Sequence, residues 1–164
     1  MRIIRGTGLY GLTGILPKRE ISGFEIIRPL IKVRRQDIEK FLKQKGIPYI
    51  TDESNHQDIY FRNKIRNRLL PLLEKEYNKN IREILSTLAE SSGYDYDYLS
   101  YLAQKEFKKI KGNIRLNKFI KLHRSIQRLI LRLAIAKIQG DTRRITFQHI
   151  KELEDLIFNR PLNS

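Results

Sequence analysis

The chain has 164 residues, 40% of them hydrophobic, enough for one ordinary domain, or a small domain plus part of another, with a real core. Its 33 Lys and Arg against 18 Asp and Glu give a formal net charge of +15 and a pI near 10.1. The natural partner of such a positive field is a polyanion, nucleic acid first and an anionic membrane surface second. With no cysteine, a disulfide framework and a thiolate metal site are both excluded, and the isolated His56, His123 and His149 lack ligand spacing, so no metal site is expected.

The apolar runs, such as "RLILRLAIAKI", are broken by Arg or Lys well short of the roughly 20 residues a membrane span needs. "MRIIRGTG" reaches a Gly-rich turn before an apolar signal-peptide core can form. The chain therefore reads as soluble and cytoplasmic, with no membrane partner.

In chain order, "FEIIRPLI" (Phe24 to Ile31) has the length and β-branched content of a buried strand, with Pro29 marking its end or an edge. "RRQDIEKFLKQKG" places Ile38, Phe41 and Leu42 at helical spacing and stops at Gly46. "IPYITD" reads as a second short strand, completing a strand–helix–strand α/β pattern. Beyond about residue 60 strand signals nearly vanish. Helices are predicted over 60 to 77, 80 to 110, 117 to 139 and 146 to 158, with Gly93 a candidate break and "NIRLN" (Asn113 to Asn117) a candidate extended link. The fold class is thus an α/β tail followed by an all-helical domain, mostly α overall, divided as 1–77 and 78–164. Residues 1–77 hold too few elements to close an α/β domain, so the chain is expected to be the carboxy-terminal part of a longer protein or a truncated relative of one.

Four stretches carry candidate chemistry. "RGTGLYGLTG" contains Gly6, Gly8 and Gly11 as a literal G-x-G-x-x-G, but it lacks the preceding strand and following helix of a dinucleotide site. It reads either as a loop whose backbone approaches a ligand, with Arg5 at its entrance, or as a structural turn. In "DESNHQDIYFRNKIRNRLLP", a helical projection puts Arg62 and Arg66 on the arc of Phe61, Ile65, Leu69 and Leu70, and Lys64, Asn67 and Arg68 outside it. Inward arginines need partners, because an unpaired buried charge costs several kcal/mol. Asp52, Glu53 and Asp58 would supply them in a structural ion-pair cluster; otherwise the arginines form an anion-binding wall.

Between Arg115 and Arg144 there are nine Lys and Arg and one acid, Asp141. Projected as one helix, Lys118, Lys121, Arg124, Arg128 and Arg132 share a face, either simply solvated or a track for a phosphate backbone. In "GYDYDYLSYL", Tyr94, Tyr98 and Tyr101 also share a face; a packing stripe is the favoured reading, and stacking on unpaired bases is the other.

With these stretches in hand, the chain resembles the tRNA(Ile)-lysidine synthase family, a branch of the PP-loop ATP pyrophosphatases. The resemblance rests on "RIIRGTGLYGLTGI", "IIRPLI", "GIPYITDESNHQDIYFRNKIRNRLLPLL" and the closing "NRPLNS", in that order. It implies a Rossmann-like PP-loop tail before a helical, basic tRNA-contacting domain. It also implies a ligase that uses ATP, with Mg2+, and L-lysine to convert the wobble cytidine of tRNA(Ile) with a CAU anticodon to lysidine. ATP adenylates the C2 oxygen, the lysine amine attacks C2, and AMP and pyrophosphate leave. Arg5, Arg62, Asn63 and Arg66 are then the expected catalytic residues. Gly6, Gly8, Gly11, Asp52, Ser54 and Asn55 would bind substrate, and Lys118, Lys121, Arg124, Arg128 and Arg132 would bind tRNA. The family's S-G-G-x-D-S loop and H-H-x-x-D-x-x-E-T motif are not in this sequence, so no motif here binds ATP by itself. The alternative is a non-catalytic basic RNA-binding module. A related thiolation enzyme is disfavoured by the missing cysteines. Oligomeric state stays open, a homodimer included.

Overall fold

The computed structural model describes residues 1–21, 23–50, 58–110, 114–142 and 144–159. They form two compact units, Met1–Ser91 and Ser92–Ser164. Most of the described residues are helical and the one sheet among them has two strands, matching a mostly α chain with a small α/β portion at its start.

In the first unit a short helix α1 (Leu9–Leu12) precedes a hairpin of β1 (Lys18–Ile21) and β2 (Phe24–Ile27), paired antiparallel with Lys18 opposite Ile27 and Ile21 opposite Phe24. The buried strand expected over Phe24 to Ile31 is therefore corrected. It ends at Ile27, and every residue of both strands is exposed, because among the described residues no third strand extends the two-stranded ribbon and neither of its faces is buried. Helix α2 (Arg35–Gln44) forms as its periodicity predicts. It ends in a Schellman motif, with Gly46 at φ +65° donating to the Lys43 carbonyl and Ile47 to the Leu42 carbonyl. The strand expected at "IPYITD" is absent from its described residues, 47–50; its remainder lies outside the described residues.

The next helical stretch runs through α3 (Phe61–Lys64), a π turn (Ile65–Leu69) and α4 (Leu70–Glu76). The π turn has a local cause. Pro71 has no N–H to give to the carbonyl four residues back, and its ring crowds that carbonyl. The backbone responds with a wider i→i+5 bond, from the Leu70 N–H to the Ile65 carbonyl. Helix α5 (Ile81–Lys108) follows, and Gly93 does not break it.

All the buried apolar residues of the described chain lie in the second unit: Ala103, Phe119, Ile126, Ile130, Leu131 and Ile150. They come from α5, α6 (Leu116–Phe119), α7 (Arg124–Gln139) and α8 (Phe147–Asn159). The helix expected over 117–139 is two, parted at Ile120–His123. His123 caps α7, its Nδ1 accepting from the Ser125 N–H at 3.2 Å. Because Leu116 already begins α6, the extended link expected over Asn113 to Asn117 shrinks to Ile114 and Arg115 among the described residues. The buried Gln127 fixes the α6–α7 corner, its Nε2 donating to the carbonyls of Phe119, Ile120 and Leu122 at 2.8–3.2 Å. Among the described residues no helix is long and apolar enough to cross a membrane.

Candidate functional site

The first unit brings together two of the sequence-predicted stretches. The Arg5 guanidinium lies over the Phe61 ring, 4.9 Å from its centroid, a cation–π contact that sets the entrance of the Gly-rich loop against the first turn of α3. Within the loop, Arg2 Nη1 donates to the Gly11 carbonyl at 3.2 Å. Gly11 sits so close to Thr7 that a Cβ there would meet the Thr7 hydroxyl at 1.5 Å, so only glycine fits without moving Thr7. Gly6 and Gly8 are exposed, and Gly6 has a φ of +74°.

The arginines of α3 and the π turn are arranged differently from their projection. Arg62 and Arg66, expected inward, are both exposed, and neither has an ion-pair partner among the described residues. Arg68, expected to point freely outward, is the one that is paired. Its Nε donates to Asp58, which also accepts from Asn67 Nδ2 at 3.2 Å. Two physical causes account for this. Phe61, Ile65, Leu69 and Leu70 are only half-buried, so the helix face is too shallow to enclose a guanidinium. Beyond Ile65 the π turn also rewinds the 100° phase on which the projection relied. The Arg68 bond holds the Asp58 carboxyl below the usual carboxylate range, partly opposed by desolvation. Asn63 is 7% exposed, beneath the surface that carries Arg62 and Arg66. Asp52, Glu53, Ser54 and Asn55 lie outside the described residues.

Locally, the Arg5 guanidinium lies at the first turn of α3, which carries the exposed Arg62, and the exposed Arg66 follows in the π turn, while the carboxylate of Asp58 is taken by Arg68. Exposed guanidinium groups can hold a phosphate or another oxyanion through charge-assisted hydrogen bonds.

In the second unit the expected basic track divides. Lys118, Lys121 and Arg124 are exposed around the α6–α7 corner. Arg128 and Arg132 instead serve the fold. Arg128 Nε donates to Glu154 Oε1 and Oε2 at 2.9 and 3.0 Å, its Nη2 reaches Oε2 at 2.9 Å, and its guanidinium lies 4.7 Å from the Phe147 centroid. Pairing with Glu154 raises the Arg128 pKa further above its ordinary value. Arg132 Nη2 donates to the Ile145 carbonyl at 3.1 Å. These partners come from α8 and the strand-free approach to it, which a projection of one helix does not include. The break at Ile120–His123 also takes Lys118 and Lys121 out of register with Arg124. Tyr94, Tyr98 and Tyr101 are 70%, 64% and 59% exposed, so the packing-stripe reading does not hold within the described chain. Among the described residues no three His, Cys, Asp or Glu converge as a metal site.

Residues 1–73 match a family model described as a PP-loop domain. Along nearly its whole length the chain is similar to curated tRNA(Ile)-lysidine synthases. That of Clostridioides difficile is 36% identical over 170 residues, covering 99% of this chain and 36% of the relative. That of Caldanaerobacter subterraneus is 32% identical over 170 residues, covering 100% and 35%, and that of Francisella tularensis subsp. novicida 35% identical over 163 residues, covering 98% and 40%. The chain spans a little over a third of the length of these relatives.

Proposed function

Because the chain belongs, by these matches, to the tRNA(Ile)-lysidine synthase family, we propose that it supplies part of an ATP-dependent ligase joining lysine to C2 of a wobble cytidine in tRNA(Ile). In this reading the cytidine C2 oxygen attacks the α-phosphate of ATP and pyrophosphate leaves. The lysine ε-amino group then attacks C2, and AMP departs with the oxygen. Each step puts negative charge on phosphoryl oxygens, which fixed cationic donors stabilise where it develops. Arg62 and Arg66 take that role, and Arg5 with the Gly6, Gly8 and Gly11 loop lies on the nucleotide side. Asn63 acts from beneath as a positioning residue. Asp52, Ser54 and Asn55 retain their proposed orienting role from the motif alone. No step is assigned to a metal.

The exposed Lys118, Lys121 and Arg124 contact tRNA phosphates in the helical part, which we take as 78–164, with 1–77 as the PP-loop part. Such contacts give affinity and register without base specificity. Arg128 and Arg132 contribute by holding α7 against α8.

The observation that supports the reading most is that Arg62 and Arg66 are exposed, with no ion-pair partner among the described residues, in the helical stretch whose first turn packs Phe61 against Arg5, inside the segment that matches the PP-loop family. The test uses the protein at the length its cell makes, with labelled lysine, ATP and a CAU-anticodon tRNA(Ile) transcript. Arg62→Ala and Arg66→Ala should each lower lysine incorporation by about two orders of magnitude or more, with circular dichroism unchanged. Near-wild-type turnover by both variants would sink the assignment.

A further inference from the structure

Helix α5 carries an exposed aromatic and basic line that the proposed ligase chemistry does not use. At 100° per residue, Tyr94, Tyr98, Tyr101, Lys105 and Lys108 fall within an arc of about 80°, and at 1.5 Å per residue they form a line about 21 Å long. All five are exposed, and among the described residues neither lysine has an ion-pair partner. The opposite face of the helix supplies the packing, through Leu99, Leu102 and Ala103. Beside the rings lies a concavity of about 400 Å³ lined by Tyr94, Asp97, Tyr98, Ser100, Tyr101 and Gln104.

We infer that this face is a binding site for a short unpaired RNA segment, whose bases stack on the tyrosine rings while its backbone follows Lys105 and Lys108. The inference deepens the proposed action on tRNA and rests on that reading. Three observations choose RNA over a protein partner. Residues 92–164 carry fifteen Lys and Arg against seven Asp and Glu, which favours a polyanion. Exposed phenol rings at successive helical turns, continued by cations on the same line, reproduce the aromatic-plus-basic layout that holds single strands. The polar groups beside the rings also suit base edges. The Asp97 carboxylate accepts only, so it selects an edge that presents donors, such as guanine N1–H and N2–H or the cytosine amino group. Gln104 both donates and accepts.

The test is equilibrium binding of the full chain to an unstructured RNA of about eight nucleotides containing guanine and cytosine. Binding is read by anisotropy and by quenching of tyrosine emission, which tryptophan does not mask because the chain has none. Tyr98→Ala should weaken binding about fivefold or more, while Tyr98→Phe, which keeps the ring, stays within about twofold. Neither should alter the salt slope. Lys105→Gln and Lys108→Gln should each reduce that slope by about 0.7. Unchanged affinity of Tyr98→Ala, with wild type binding in a salt-dependent way, overturns the tyrosine site and leaves the tRNA reading standing. A change in the sedimentation of the free protein on Tyr98→Ala, without a change in RNA affinity, assigns the face to self-association and also overturns it. Absence of salt-dependent binding of both the octamer and tRNA by wild type removes both readings.

Discussion

Replacing Arg128 by alanine leaves the Glu154 carboxylate, 8% exposed as a side chain, without the guanidinium that binds both of its oxygens. Removing one partner of a fully buried pair costs about 3–5 kcal/mol. Arg128 is itself 34% exposed, so water reaches the gap it leaves, and about 2 kcal/mol is the appropriate discounted figure. Glu154→Ala is the milder change, about 1 kcal/mol, because a third-exposed guanidinium can turn to solvent and keep its contact with Phe147. The two therefore differ by about 1 kcal/mol, a factor of about five in the unfolding constant. Urea unfolding followed by circular dichroism measures both. Equal or greater damage from Glu154→Ala would refute the reasoning.

Three other outcomes are expected. Gln127→Leu strips the three carbonyls of the α6–α7 corner of their donor, and should destabilise the second unit by about 1–3 kcal/mol in the same urea experiment. Asp58 has a folded pKa lowered by Arg68, so its contribution to stability is complete above the unfolded value near 3.9 and is lost as pH falls through the lower folded value. Asp58→Asn should therefore flatten the acid limb of a stability–pH profile below about pH 4 and leave its shape near neutrality unchanged. Gly46→Ala, at φ +65°, should cost about 1 kcal/mol with no effect on RNA affinity, read by thermal unfolding and anisotropy together.

The sequence exposes what short-range chemistry controls. Apolar spacing and Gly46 set α2 and its stop, and the same periodicity marks α5 and α8. The hairpin was legible too: Ser22 and Gly23 form a two-residue turn signal between "KREI" and "FEII". The second run taken alone has the β-branched content of a buried strand, and the turn signal before it marks it instead as one arm of a hairpin. Pro71 inside a helical pattern was the one hint of the π turn. The pairing of Arg128 with Glu154 and of Arg132 with the Ile145 carbonyl joins residues 26 and 13 positions apart, and no single-helix projection contains it. Of the candidate site, the juxtaposition of Arg5 with Phe61, 56 residues apart in sequence, required the fold, whereas the residue types needed to hold an anion stood in the sequence itself.

The most direct measurement of the central claim is nucleoside analysis of tRNA(Ile) transcripts incubated with the protein at its cellular length, ATP and L-lysine. The account predicts lysidine at the wobble position of the CAU transcript, dependent on ATP and absent when that cytidine is replaced by uridine. No lysine incorporation into the CAU transcript, or incorporation indifferent to the wobble base, would contradict it.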